Sequence, residues 1–370
     1  MRPAPAGTRQ QSLSSDTEPI LVVDDWKTWF TTPRGTVRAV DGVSLSLRPG
    51  TTLGLVGESG SGKSVLSRSI LGLLPKKNRI NPGGSIRFDG HDIGKLSKRQ
   101  LRELWGKEMA MVFQNPMTSL NPVLTIGRQL TEVLTLHLRM RPAEARERAV
   151  ELLRSVGIPE PARRAGDYPH QLSGGMRQRV TIAIALACNP RLLLADEPTT
   201  ALDVTVQAQI LDLLERQQRD RAMTMILVTH DLGIVAGRTD FIAVMYAGKI
   251  VEIAPTKTLF RQTRMPYTEA LMRSIPRLDA PSHTRLRAIP GRPPVLVNPP
   301  PGCRFSPRCA YAQERCLVEE PPLRQAEQPD HKYACWHPVG TAEAEDALAR
   351  NLSRGKTAAG TPMSELVVEA

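Results

Sequence analysis

An α/β fold built on a buried sheet, with an inserted helical subdomain and a small Pro/Cys-rich C-terminal extension, is what this sequence predicts, and three observations carry it. Residues 52–56 form a short apolar run that ends in a glycine-rich turn and leads into helix periodicity, as a parallel strand buried on both faces requires. Between residues 122 and 169 the apolar spacing becomes helical, and buried strands resume at residues 192–195 and 224–228. Over residues 281–338 the composition shifts, with 12 of the 31 prolines and four of the five cysteines, so long helices and central strands are hard to sustain there.

Taken in order, residues 1–18 are rich in Pro, Ser and Gln and lack an apolar core segment. They read as a disordered leader rather than a secretory signal. Residues 20–30 alternate as a strand, and residues 37–40 and 43–47 follow as strands before the turn Arg48-Pro49-Gly50. Val65, Leu66, Ile70 and Leu73 give residues 64–74 a helical face. Ile126, Leu130, Val133, Leu134 and His137, then Ala145, Ala149, Leu152, Leu153 and Val156, mark two amphipathic helices stopped by Gly157. The strands at 192–195 and 224–228 both end in polar residues, and ligands of open α/β sheets gather at such carboxyl ends. The longest apolar run, residues 180–188, is broken by Thr181 and is far short of the ~20 residues that span a bilayer. A composition of 41% hydrophobic and 23% charged residues excludes wholesale disorder and a membrane-embedded body.

Gly57-Glu58-Ser59-Gly60-Ser61-Gly62-Lys63-Ser64 has the form GxxxxGKS. In such a P-loop the glycines let backbone N–H groups curl around a β-phosphate, and the following helix points its positive end at the same anion. Lys63 neutralises β- and γ-oxygens, and the Ser64 hydroxyl is placed to hold Mg²⁺. The strand Leu192-Leu193-Leu194-Ala195 then delivers two carboxylates, Asp196 and Glu197. Asp196 suits Mg²⁺, and Glu197 suits a base for the water that attacks a γ-phosphate.

The segment Leu172-Ser173-Gly174-Gly175-Met176-Arg177-Gln178-Arg179 resembles the signature motif of ATP-binding-cassette (ABC) ATPases. The resemblance implies a P-loop NTPase with a RecA-like core, a mixed sheet and an inserted helical subdomain. It also implies that Ser173, Gly174 and Gly175 serve the nucleotide of an opposing cassette, so that a second ATPase subunit, a distinct paralogue or a second copy, completes two shared sites. Gln114, in Met111-Val112-Phe113-Gln114, matches the family's Q-loop glutamine, which senses Mg²⁺ and the attacking water; Asp203 matches the D-loop, and His230 the switch histidine. Phe30 is the candidate platform for adenine, with Trp29 and Trp26 as neighbours that could take that role. None of the matched catalytic positions is substituted, which implies an active ATPase using ATP and Mg²⁺.

The stretch Met265-Pro266-Tyr267-Thr268-Glu269-Ala270-Leu271-Met272-Arg273-Ser274-Ile275-Pro276 is similar to the segment that follows the cassette in oligopeptide, dipeptide and nickel importers. Asn298-Pro299-Pro300-Pro301-Gly302-Cys303-Arg304-Phe305-Ser306-Pro307-Arg308-Cys309 and the extended Q-loop at residues 113–122 continue that match. It implies two transmembrane permease subunits, an extracytoplasmic substrate-binding protein and a place at the cytoplasmic face of the cell membrane. Cys303, Cys309, Cys316 and Cys335 suit a four-thiolate site. The importer resemblance implies a [4Fe–4S] cluster there; zinc and metal-free thiols are the alternatives. Cys188 reads as a core residue. The expected divisions are a leader (1–18), a nucleotide-binding domain (19–265, helical subdomain about 115–175), the extension (266–338) and a mobile tail (339–370).

The net charge is +12, which would also suit a soluble cassette ATPase acting on nucleic acid or ribosomes. Half of that excess falls in residues 254–338, with 13 basic and 7 acidic side chains. That placement fits partner subunits or anionic headgroups better than a nucleic-acid groove, and no nucleic-acid partner is expected.

Overall fold

All five residues of the strand Thr52–Val56 are buried, and the computed structural model places it in the middle of an eight-stranded sheet. Residues 18–75, 77–114, 119–200, 202–275 and 289–366 are described. The expected leader up to residue 17, residue 76, the Q-loop residues 115–118, Ala201, residues 276–288 and the last four residues lie outside them.

Across this sheet the order is Arg324–Gln325, Lys332–Tyr333, Lys249–Pro255, Phe241–Tyr246, Thr52–Val56, Thr224–Thr229, Leu192–Asp196, Met109–Val112. The five strands from Phe241–Tyr246 to Met109–Val112 run parallel, and the other three are antiparallel. Side chains alternate between two cores: Leu53, Leu55, Leu192, Leu194, Ile226 and Val228 face one, while Leu193, Ala195, Met225 and Leu227 face the other. Burial on both faces explains why these strands read as unbroken apolar runs.

The first core is closed by the helix Lys63–Ile70 and by an antiparallel sheet of Leu21–Thr32, Gly35–Leu47 and shorter strands. Residues 37–40 and 43–47, read as separate strands, form one continuous strand, Gly35–Leu47. The second core is shared by the helices Ile126–Leu138, Pro142–Ser155, Gly174–Leu186 and Val204–Arg221. The first three of these lie between Met109–Val112 and Leu192–Asp196, which are neighbours in the sheet. The helical insertion therefore leaves the sheet and returns to the adjacent position.

The extension is welded to the sheet. Lys332–Tyr333 pairs with Glu252 and Ile253, and the buried Glu252 carboxylate accepts from His331 Nε2 at 2.8 Å and from the Arg264 and Met265 amides at 2.7 and 3.2 Å. The stretch 339–370, expected as a mobile tail, instead carries the helix Ala342–Arg354. Ala, Glu, Leu and Arg give it high helix propensity. Thr341 caps its start by accepting from the Ala344 amide, and Gly355 ends it at φ 68°.

A nucleotide site and a four-cysteine void

The phosphate loop leaves the C-terminal end of Thr52–Val56 and enters the helix Lys63–Ile70. A Cβ on Gly57 would stand 2.1 Å from the Met245 carbonyl oxygen. A Cβ on Gly62, at φ +106°, would stand 2.2 Å from that of Ala39. Only glycine fits either place. Gly60 at φ +80° meets no atom, so its need is conformational alone. Ser59 and Gly60 form the exposed rim of the loop, and Ser61 is buried with its hydroxyl unpartnered.

Lys63 Nζ donates to the carbonyls of Gly57 and Glu58 at 2.7 and 3.1 Å. Burial pushes its ammonium below the ordinary lysine range, against the opposing pull of Glu197, Asp196 and Glu58. An anionic phosphate would relieve that penalty. Ser64 Oγ donates to Asp196 Oδ1 at 3.1 Å, so two of the three groups expected at Mg²⁺ share one corner, and the third, Gln114, is bonded to Glu197. Burial raises the Asp196 carboxyl above the usual range, partly offset by the Ser64 hydrogen bond, and Glu197 raises it further. These donors fit a divalent cation, which would neutralise charge on the bound phosphates.

Glu197 stands next, in the left-handed region at φ 46°, an unfavourable conformation for a side chain of this kind. Its amide donates to the Val228 carbonyl at 3.0 Å. Gln114 Nε2 donates to its Oε2 at 3.0 Å, Thr200 Oγ1 at 2.9 Å, and His230 Nδ1 lies 3.5 Å from the same oxygen. The three expected catalytic residues thus meet at one carboxylate oxygen. Thr200 joins them without having been singled out in the sequence; its position three residues beyond Glu197 is the signal that could have found it. A cavity of about 200 Å³ opens beside Glu197, Thr200 and His230.

Ser173, Gly174, Gly175 and Asp203 form a separate group. Ser173 Oγ caps Gly174–Leu186 by accepting from the Met176 amide at 3.3 Å, and Asp203 Oδ1 caps Val204–Arg221 through the Val206 amide at 3.0 Å. Gly175 lets the two helices meet, since a Cβ there would lie 2.8 Å from Val206 Cγ1. Ser173, Gly174 and Asp203 are exposed.

Of the aromatic candidates, Trp26 is buried in the core. Trp29 donates to Asp41 Oδ1 at 3.0 Å and carries the Arg38 guanidinium over its ring at 4.7 Å. Phe30 is half-buried on the same strand.

Cys303, Cys309, Cys316 and Cys335 line one small void together with Tyr311, Trp336 and His337. All four are free thiols, as is the buried Cys188. A Cβ on Gly302 would lie 2.3 Å from the Cys316 carbonyl oxygen, which permits the 2.7 Å hydrogen bond from the Cys303 amide to that oxygen. Burial pushes the Cys303 thiol up to about 12 and the Cys309, Cys316 and Cys335 thiols above the ordinary range. For Cys303, Cys309 and Cys335 the neighbouring cysteines add to the effect. Both ring nitrogens of His337 are buried without a partner. Among the described residues no group of three or more His, Cys, Asp or Glu is arranged to hold a metal ion.

Family models match in two places: an ABC transporter model over residues 40–200 and an oligopeptide/dipeptide transporter C-terminal region over residues 251–316. A putative peptide import ATP-binding protein of Brucella melitensis is 52% identical over 316 residues, covering 83% of this chain and 94% of its own. The chain belongs to the ABC ATPases of the oligopeptide/dipeptide transporter class. The oligopeptide transport ATP-binding protein OppD of Bacillus subtilis is 47% identical over 340 residues, 90% of this ABC ATPase and 95% of OppD. A dimeric ATP-binding cassette in a post-hydrolysis state with ADP and Pi superposes with a TM-score of 0.58 at 29% identity, covering 64% of this ABC ATPase and 98% of that cassette.

Proposed function

We propose that this ABC ATPase powers peptide import. The loop amides and Lys63 bind the β- and γ-phosphates, and Ser64 and Asp196 hold Mg²⁺. Glu197 takes the proton of the attacking water, with Gln114 and His230 orienting the reacting groups. Adenine stacks on Phe30, the aromatic whose ring is neither buried nor covered by an arginine. The exposed Ser173 and Gly174 meet the γ-phosphate bound by a second cassette, a distinct paralogue, and Asp203 lies on the same interface. The observation that carries this reading is an intact Gln114–Glu197–His230 cluster in a chain that also bears the oligopeptide/dipeptide C-terminal region.

No helix among the described residues is long and apolar enough to cross a membrane. On this reading the chain acts from the cytoplasmic face on two transmembrane permease subunits, which receive substrate from an extracytoplasmic binding protein; its oligopeptide/dipeptide transporter C-terminal region supports that. Exposed Phe113, beside Gln114, and exposed Val123 and Leu136 on the helical side supply apolar surface for that docking. Deleting the chain is expected to abolish uptake of a labelled oligopeptide, restored by the wild-type gene and not by an E197Q copy. Undiminished uptake, with the purified chain binding RNA in a strongly salt-dependent way, would favour action on nucleic acid.

The four-cysteine void is the proposed seat of a [4Fe–4S] cluster, with zinc as the competing occupant. Support comes from four thiols that line one void, where burial raises each above the ordinary thiol range, so that a bound cation would favour their thiolates. Zinc draws its sulfurs to ~2.3 Å from one point, whereas a cluster spreads them around a larger body. Anaerobically purified chain is expected to be brown, with about four irons and four sulfides per chain. A colourless protein with one zinc would assign the void to that metal.

A further inference from the structure

Glu58 is the hub of the phosphate loop, and the C-terminal extension grips it at two points. Its carbonyl accepts from Lys63 Nζ at 3.1 Å and from the Ser61 amide at 3.2 Å, so the position of Glu58 sets both the lysine and the curl of the loop. Its own amide donates to Tyr267 Oη at 2.9 Å. Its carboxylate is held in a two-pronged ion pair by Arg308, Nη1 to Oε2 at 2.6 Å and Nη2 to Oε1 at 2.9 Å. Planar guanidinium and carboxylate groups match in this way and fix orientation as well as charge.

Arg308 is itself immobilised. Its side chain is only 3% exposed. Nε donates to the Pro290 carbonyl at 2.7 Å, and Nη2 to that of Ile289 at 3.2 Å. Nη1 also donates to Tyr246 Oη at 3.3 Å. The rings of Tyr246, Tyr267 and Phe305 pack together at centroid distances of 4.5 to 5.3 Å, with the guanidinium 5.9 and 6.0 Å from the Tyr246 and Phe305 centroids. The loop bearing Arg308 lies between Cys303 and Cys309. Its other arginine, Arg304, is also buried, bonded to Asp41 and to the Ala247 carbonyl.

We propose that Arg308 is a positioning residue of the ATPase, through which the extension holds the phosphate loop in the curl that nucleotide requires. Arg308 acts through Glu58, whose carboxylate it holds. By linkage, whatever orders the 303–309 loop raises affinity for ATP, and ATP in turn orders that loop by the same factor.

The test compares R308M, R308K, E58Q and R308M/E58Q in the full-length chain, reading the ATP dissociation constant and backbone amide exchange, with the KM and kcat of the assembled complex. R308M is expected to raise the dissociation constant and KM roughly tenfold, as is common for coupling between two sites, and to leave kcat at saturating ATP within about twofold. R308K keeps the charge but loses the fork, and is expected to lose affinity as well. E58Q should weaken binding, and the double variant should be no worse than R308M alone. Amide exchange over residues 58–63 should speed up while the helix Ile126–Leu138 stays protected. ATP should slow exchange over residues 303–309 in wild type and not in R308M.

R308K binding ATP as tightly as wild type would reduce Arg308 to a charge and overturn the proposal. So would additive effects in the double variant, or exchange accelerated through the whole chain, which would make the contact a general staple of the fold. If R308M does not fold, unchanged ATP affinity in the partly exposed E58Q would overturn it equally. Hydrolysis by the wild-type complex separates failure of the clamp from failure of the ATPase reading on which it rests.

Discussion

Asp196 and Glu197 are adjacent in sequence, yet their surroundings assign them different work. Asp196 is 3% exposed at the end of a strand, where burial favours its neutral form. Glu197 turns out of the strand at a positive φ towards donors on Gln114 and Thr200, with the His230 ring 3.5 Å away. A raised folded-state value for Asp196 means that the neutral acid is favoured in the native protein. The associated stability is present below the unfolded carboxylate value of ~3.9 and is lost as pH rises through the raised one. Asn in its place carries no charge at any pH and can still accept from Ser64. Without Mg²⁺, D196N is therefore expected to melt higher than wild type at neutral pH, the difference shrinking toward zero in acid. With Mg²⁺ and ATP the order should reverse, because wild type alone then gains a cation ligand. Melting curves from pH 4 to 8 read both signs, and a D196N gain that persists in acid would show that the carboxylate is not the source.

At the scale of elements, the motifs that were legible are those written in local sequence. GxxxxGKS fixes a strand, a turn and a helix, and Ile126–Leu138 and Pro142–Ser155 follow their apolar spacing closely. The strands Phe241–Tyr246 and Lys249–Pro255 were missed, although their apolar runs resemble those that were found. The helix Ala342–Arg354 is marked locally by its Thr341 cap and Gly355 stop, signals that the composition of the stretch hides. Contacts made at long sequence separation left no mark at all, and the pairing of Arg308 with Glu58 spans 250 residues. The signature glycines show how two neighbouring positions of one motif divide. Gly175 is required by the approach of Val206, whereas a Cβ on Gly174 would meet Leu202 Cδ2 at an ordinary 3.6 Å. G175A is expected to lower the melting temperature by several degrees, as overpacking of about 1–3 kcal/mol would. G174A should leave it nearly unchanged while reducing ATP turnover in the assembled complex, because its added methyl lies on the exposed face. Equal melting of the two variants would remove the packing role of Gly175.

For the molecule as a whole, the extension is continuous with the cassette. Phe305, Cys309, Ala312 and Cys335 belong to the same buried cluster as the sheet residues Leu227 and Val244. The helix Ala342–Arg354 braces this region from outside through Asn351, which is fully buried. Its Nδ2 donates to the carbonyls of Ala310 and Ala312 at 2.8 and 3.1 Å, and its Oδ1 accepts from Gln313 Nε2 at 2.9 Å. N351A would remove the donor of the Ala310 carbonyl, one of the donors at the Ala312 carbonyl and the Oδ1 acceptor of Gln313 Nε2, at a cost of about 1–3 kcal/mol. If cassette and extension share one core, that cost cannot stay local. Calorimetry of N351A is then expected to show the main transition itself moved down, with no separate early peak. An early transition belonging to the extension alone, with the cassette melting as in wild type, would instead make the extension an independently stable module. Strain at the cysteines would then reach the phosphate loop through the Arg308 and Tyr267 contacts with Glu58.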